Sequence, residues 1–186
     1  MTPTAWKFPF TFDVARLQAD VRAFAPHEWT PHFNIHNYEG DWSAIALRAP
    51  KGARIAIYPD PTATEFCETE MMARCQYVPE VLRSLACELT SVRFLKLGAG
   101  ALIRRHRDYQ LGLEDGEIRF HIPVFTNPQV EFLLDDKRVE MRAGETWYLN
   151  VNYFHSVRND GPADRVHLVI DCVVNDWLRS FLPDAP

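Results

Sequence analysis

His106 and Asp108 stand two residues apart at the end of the alternating run 101–108. On a strand, residues two apart leave the same face, so an imidazole and a carboxylate are placed to grip one ion. A third ligand has to come from elsewhere in the chain, and His155 offers one. Two histidines and one carboxylate on one face of an octahedron leave three positions open, which is the non-haem Fe(II) oxygenase arrangement. A His-x-Asp pair alone is a weak signal. A distant histidine followed ten residues later by Arg165 strengthens it, because a hairpin of that length returns Arg165 to the same cavity. A buried guanidinium there needs a carboxylate, and a dicarboxylate such as 2-oxoglutarate supplies one as a two-point fork.

Four of the seven histidines fall between Arg104 and Cys172, two of them close to an arginine in apolar, strand-like sequence. In 118–122 one face holds Ile118, Phe120 and Ile122, and the other Arg119 and His121. In 165–171 one face holds Val166, Leu168 and Ile170, and the other Arg165, His167, Val169 and Asp171. A period of two sends these sets to opposite sides of a sheet, and arginine and histidine are costly inside unless something pairs them. The expectation is that Arg119, His121, Arg165 and His167 point into a cavity. Phe120, Ile122, Val166 and Leu168 then point out against helices or a second sheet. Asp171 either pairs with a buried arginine or ends its strand. Trp147 and Tyr148 read as packing, and Tyr109 as open to either role. Arg104 and Arg107 either meet a substrate carboxylate or are surface charges. His32 and His36 are four apart, but in an aperiodic segment, so they read as loop histidines.

The elements that must position these groups follow from pattern. Asp13 caps a helix carrying Val14, Leu17, Val21 and Phe24, which ends before Pro26. Segments 43–48 and 54–58 read as two strands around Pro50-Lys51-Gly52. The acidic segment 59–70 is a solvated loop or a lid. A second helix is expected over 79–89. From Ser91 onward short strands are expected at 92–97, 101–108, 117–125, 130–134, 138–142, 146–151 and 165–173, punctuated by glycine and asparagine turns. Many short strands at this spacing give a mainly β fold, a jelly roll with N-terminal helices packed outside. The chain reads as one domain over 1–186, with 1–90 as support and 91–175 as the core.

Composition narrows the partners. Hydrophobic residues make up 47% and aromatics 12%, which suits a globular domain and not a disordered chain. Twenty Lys and Arg against 25 Asp and Glu leave a net charge of −5, which disfavours general nucleic-acid binding. No apolar run approaches membrane-spanning length and no leader is visible, so a soluble, cytoplasmic protein with reduced cysteines is expected.

The run 92–172 resembles the aspartyl/asparaginyl β-hydroxylase family and, more loosely, bacterial L-proline cis-4-hydroxylase. The matching stretches are His106-Arg107-Asp108-Tyr109, Arg119-Phe120-His121-Ile122-Pro123, Thr126-Asn127, Gly144-Glu145-Thr146-Trp147, His155-Ser156-Val157 and the strand 165–171, in order and at family spacing. The resemblance implies a double-stranded β-helix (cupin-like jelly roll) with Fe(II) at His106, Asp108 and His155. It implies 2-oxoglutarate as cosubstrate and O2 as oxidant. Arg165 would bind the distal carboxylate of 2-oxoglutarate, and Arg119 and His121 match positions that also contact the cosubstrate. Where some members carry a cosubstrate-binding serine, this chain has Leu95.

The function expected is hydroxylation of an amino acid (free, peptide-borne or carrier-bound) with release of succinate and CO2. The absence of an appended peptide-binding segment tilts the expectation toward a small molecule. A cupin-type metalloenzyme without 2-oxoglutarate would share the ligands but leave Arg165 and Arg119 unexplained. A non-enzymatic sensor on the same barrel would not need both Asp108 and His155.

Overall fold

The computed structural model describes residues 3–58 and 62–182. Among these residues the order is β1 (Ala5–Thr11), α1 (Val14–Arg22), β2 (Thr30–Pro31), β3 (Tyr38–Glu39), β4 (Trp42–Pro50), β5 (Phe66–Glu68), α2 (Val78–Arg83), β6 (Leu89–Leu97), β7 (Leu102–His106), β8 (Glu117–Phe125), β9 (Val130–Leu134), β10 (Lys137–Arg138), β11 (Glu145–Leu149), β12 (His155–Asn159), β13 (Arg165–Val173) and α3 (Asp176–Arg179). A large antiparallel sheet has the order β1-β11-β8-β13-β6-β4-β2, with β5 also on β4. A smaller sheet has the order β10-β9-β12-β7-β3. Two facing antiparallel sheets are the jelly roll expected, left open along their edges.

The alternation in β8 and β13 decides which side packs. Phe120, Ile122, Val166, Leu168 and Ile170 are all buried on the outer face. They pack with Leu17 and Val21 of α1 and Val78, Val81 and Leu82 of α2. Arg119, His121, Arg165 and His167 are left on the inner face, toward the smaller sheet. His121 packs edge-on against Phe132 of β9.

The helices are anchored by one buried carboxylate. Asp13 caps α1 by accepting from the Arg16 amide at 3.1 Å. One face of α1 then delivers Asp20, 3% exposed, to the start of α2. Asp20 accepts from the amides of Gln76, Tyr77 and Val78 at 2.8, 2.9 and 2.7 Å. Val78 is the first residue of α2, and its amide is one that a helix start leaves unpaired; the other two amides lie just before it.

Several expectations are corrected. Residues 54–58 are turns, not a strand: their local alternation has no neighbouring strand to pair with. The end of β4 pairs instead with β5, inside the segment expected to be an acidic loop or lid. Residues 59–61 of that segment lie outside the described residues. The second helix stops at Arg83, and Leu89 opens β6 instead. The strand expected at 138–142 shrinks to Lys137–Arg138, while β1, β12 and α3 were not anticipated. The first 90 residues also do more than support the core, since β1 pairs with β11 and β4 pairs with β6 in the main sheet. Among the described residues no helix is long and apolar enough to cross a membrane.

Candidate metal centre and its cavity

Strand register brings the two expected histidines together. His106, the last residue of β7, is the cross-strand partner of His155, the first residue of β12. Their rings stand 4.3 Å apart between centroids. Asp108 follows β7 and is pinned by its amide, which donates to Val151 O at 2.9 Å. His106, Asp108 and His155 each offer a ligand atom, all within 4.8 Å of one another.

The protons are arranged for a cation. Nδ1 of His106 meets Arg104 O at 2.7 Å, and Nδ1 of His155 meets Tyr153 O at 3.1 Å. A carbonyl only accepts, so both rings carry their proton on Nδ1 and leave Nε2 as a bare donor atom for a metal. Burial, reinforced by His106, lowers the His155 pKa to about 4, so the ring is neutral near pH 7. Burial works against ionisation of Asp108, but Arg119 and the neighbouring histidines outweigh it and hold the carboxyl below its ordinary value. Two imidazole nitrogens and a carboxylate oxygen on one side of a cavity fit a divalent iron-type ion.

Arg119 does not stand free. Its Nη1 donates to Asp108 Oδ2 at 2.6 Å, and its Nε and Nη2 donate to Asp171 Oδ1 and Oδ2 at 2.7 and 3.0 Å. Of the two options left open for Asp171, pairing with a buried arginine is what the structure has. Arg93 of β6 joins the cluster, donating from Nη2 to Asp171 Oδ2 at 2.9 Å. Sequence reasoning passed over Arg93, although Val92-Arg93-Phe94 carries the same sign of an arginine inside an apolar strand.

Arg165 is different. It is 2% exposed, and its Nη2 donates to Nδ1 of His167 at 2.9 Å. Among the described residues no carboxylate pairs with it, and its Nε is buried without a partner. Burial alone lowers its pKa to about 9, still charged at neutral pH. His167 accepts from Arg165 at Nδ1, so its proton sits on Nε2. Nδ1 of His121 lies 3.4 Å from Nδ1 of His167, and Nε2 of His121 is also buried without a partner. Burial, with Arg165 next, pushes both imidazoles well below their ordinary pKa. Leu95 is the register partner of His167 and offers no hydroxyl.

A small inner cavity of about 40 Å³ joins these groups, lined among others by His106, Asp108, His155, His121, Arg165 and Leu95. It shares Trp42, Leu95, His106, Asp108 and Arg119 with an outer cavity of about 450 Å³, which adds Arg93, Arg107, His32 and Tyr109. His32 stacks on Trp42 with ring centroids 3.5 Å apart. The loop reading of this histidine therefore places it at the mouth of the site. Arg104 is occupied at the surface by Glu39 and His36 O. Tyr148 is fully buried and accepts from the Leu113 amide through its hydroxyl. A third depression, of about 420 Å³, reaches His167 from outside along the open edge near Arg138, and none of the three candidate ligands lines it.

Known proteins resemble this chain along most of its length. An L-proline cis-4-hydroxylase of Rhizobium meliloti (strain 1021) is 27% identical over 173 residues, 92% of this chain and 61% of the relative. The chain thus spans about three fifths of that relative. A prolyl-4-hydroxylase structure from Pseudomonas putida superposes with a TM-score of 0.55 at 16% identity, over 92% of this chain and 93% of the other. HygX of Streptomyces hygroscopicus, solved with nickel and 2-oxoglutarate bound, gives 0.53 at 11% identity, over 94% and 84%. These two structures share the fold seen here. The model of the aspartyl/asparaginyl beta-hydroxylase family matches residues 12–174, and the chain belongs to that family.

Proposed function

We propose that this chain is an Fe(II)- and 2-oxoglutarate-dependent hydroxylase of a small amino acid. His106, Asp108 and His155 hold the iron, and Arg165 holds the distal carboxylate of 2-oxoglutarate. Bound there, iron supplies dioxygen chemistry that couples decarboxylation of 2-oxoglutarate to succinate with insertion of one oxygen atom into a C–H bond. The protein's own groups orient the participants. Nδ1 of each ligand histidine is held by a backbone carbonyl, and Arg165 is fixed by His167.

The observation that carries the reading is the buried Arg165 guanidinium, with no carboxylate partner among the described residues, in the cavity lined by the three candidate ligands. A buried cation without a counter-charge is costly, and a dianionic cosubstrate removes that cost. A cupin-type enzyme without 2-oxoglutarate, or a sensor, leaves the feature without a purpose. His121, whose free Nε2 faces the same problem of an absent partner, is proposed to contact the cosubstrate too. Arg119, with its nitrogens committed to Asp108 and Asp171, is proposed to act on the metal ligand.

The outer cavity is lined by Arg93 and Arg107 together with His32 and Tyr109, which suits a small substrate bearing a carboxylate. The names of the relatives make proline and its ring homologues the first compounds to assay. Incubation with Fe(II), ascorbate and 2-oxoglutarate should give succinate only when an accepted amino acid is present, with a product heavier by one oxygen atom. Succinate formation indifferent to every amino acid, free or peptide-borne, counts against the reading.

A further inference from the structure

Asp171 is tied to one of the three candidate ligands through an intermediary. It and Arg119 are register partners across β8 and β13, so the ladder itself places the carboxylate against the guanidinium. Two nitrogens of Arg119 form a fork on Asp171, at 2.7 and 3.0 Å, and the third nitrogen lies 2.6 Å from Asp108 Oδ2. Arg93 closes the far side of Asp171 at 2.9 Å. The side chains of Arg93, Arg119 and Asp171 are 14, 13 and 7% exposed, so water does not replace these bonds freely.

We propose that Asp171 is a positioning residue for the metal centre: by locking Arg119, it keeps one oxygen of Asp108 occupied and presents the other oxygen alone to the ion. The proposal rests on the metal-site reading above. A carboxylate free to turn can chelate an ion with both oxygens and take a second coordination position. Here Oδ2 is held by Arg119, while Oδ1 lies 3.9 Å from Nε2 of His106, on the metal side. Two imidazoles and a single oxygen would then hold the ion by three ligands, which would leave room for the cosubstrate and dioxygen chemistry it would supply. The guanidinium is planar, so a fork on its Nε/Nη2 edge fixes where Nη1 points. Without Asp171 the group can rotate, and Asp108 loses the contact that sets its orientation. Arg93 completes a cluster of two guanidinium and two carboxylate groups, balanced before any ion arrives.

A general structural role for this cluster predicts something different, and a double-mutant cycle separates the two. Co(II) is titrated anaerobically into the metal-free parent, Asp171→Asn, Asp108→Ala and the double variant, following the visible absorption of the bound ion. Asp171→Asn should weaken binding about 10- to 100-fold in the parent, the usual size of an effect one shell out from a metal. It should have no further effect once Asp108 is alanine. Equal losses in both backgrounds, or no loss in either, overturn the proposal. Arg119→Lys keeps the charge but cannot span two carboxylates, and it should repeat the pattern if Asp171→Asn does not fold. His106→Ala is the control for the site: binding that survives it places the ion elsewhere and removes the functional reading together with this one. Loss of binding in His106→Ala with no effect of Asp171→Asn removes this proposal only.

Discussion

His106 and His155 face each other as direct cross-strand partners, and each ring donates its Nδ1 proton to the carbonyl two residues before it. That common device points two Nε2 atoms at the space beside Asp108. Replacing His106, Asp108 or His155 by alanine is expected to lower turnover by at least a thousand-fold. Melting of the metal-free protein should shift by no more than about 4 °C in His106→Ala, the effect of roughly 1 kcal/mol in a chain of this size, and by more in Asp108→Ala, which strands Arg119. The comparison of rates and melting curves checks this. Full activity in Asp108→Ala would show that the carboxylate is not a required ligand.

Acid should unfold the metal-free protein earlier than carboxylate protonation requires. His155 has a folded pKa of about 4 because burial disfavours its cation, and burial holds His121 and His167 well below the ordinary value too. Unfolded, these rings titrate near 6.5. Between the two values the unfolded chain binds protons that the folded chain does not, so stability is complete above about pH 6.5 and falls as pH drops toward 4. His155 alone accounts for about 3 kcal/mol across that window, at 1.4 kcal/mol per pH unit. Denaturant melts of the metal-free protein at half-unit steps from pH 7 to 4.5 test this. A flat profile there contradicts it.

The helical layer depends on Asp20. Its carboxylate satisfies three amides at the start of α2, and two of those bonds are buried. Asp20→Ala leaves the amides without a partner and is expected to cost about 3–5 kcal/mol. Asp20→Asn, which keeps one acceptor oxygen, should cost less. Chemical denaturation of the two variants ranks them, and equal stabilities would show that the three bonds are not the anchor.

What could be read in the sequence was what period and spacing encode. The alternation of 118–122 and 165–171 gave the inner and outer faces because it follows directly from strand geometry. His106 and Asp108 were visible as a pair because two residues on a strand share a face. β1 was hidden by Pro9, which an edge strand tolerates where a central strand does not. β12 was hidden because His155-Ser156-Val157-Arg158-Asn159 carries one apolar residue, and its burial comes from neighbours supplied by β7 and β9. The error at 54–58 has the same origin, since alternation there was not matched by a pairing partner. The commitment of Arg119 to Asp108 and Asp171 joins β7, β8 and β13, which only the sheet brings together.

Arg165 should govern cosubstrate and not metal. Truncating one partner of a buried charge pair costs about 2–5 kcal/mol, so Arg165→Ala should weaken 2-oxoglutarate binding by roughly thirty-fold to a few thousand-fold. Lysine should restore only part, because a point charge cannot reproduce two parallel hydrogen bonds. Equilibrium binding of Co(II) without cosubstrate should be unchanged in both variants. A loss of metal binding as large as the loss of 2-oxoglutarate binding would assign Arg165 to the fold of the site.

The most direct test of the whole account is an anaerobic titration of 2-oxoglutarate into the Fe(II)-loaded protein, followed by visible absorption. Chelation of iron by the keto acid should produce a weak charge-transfer band that saturates at one equivalent per chain. The band should be absent in His106→Ala and shifted to much higher 2-oxoglutarate concentration in Arg165→Ala. A parent protein that binds Fe(II) but develops no band at any 2-oxoglutarate concentration would contradict the account.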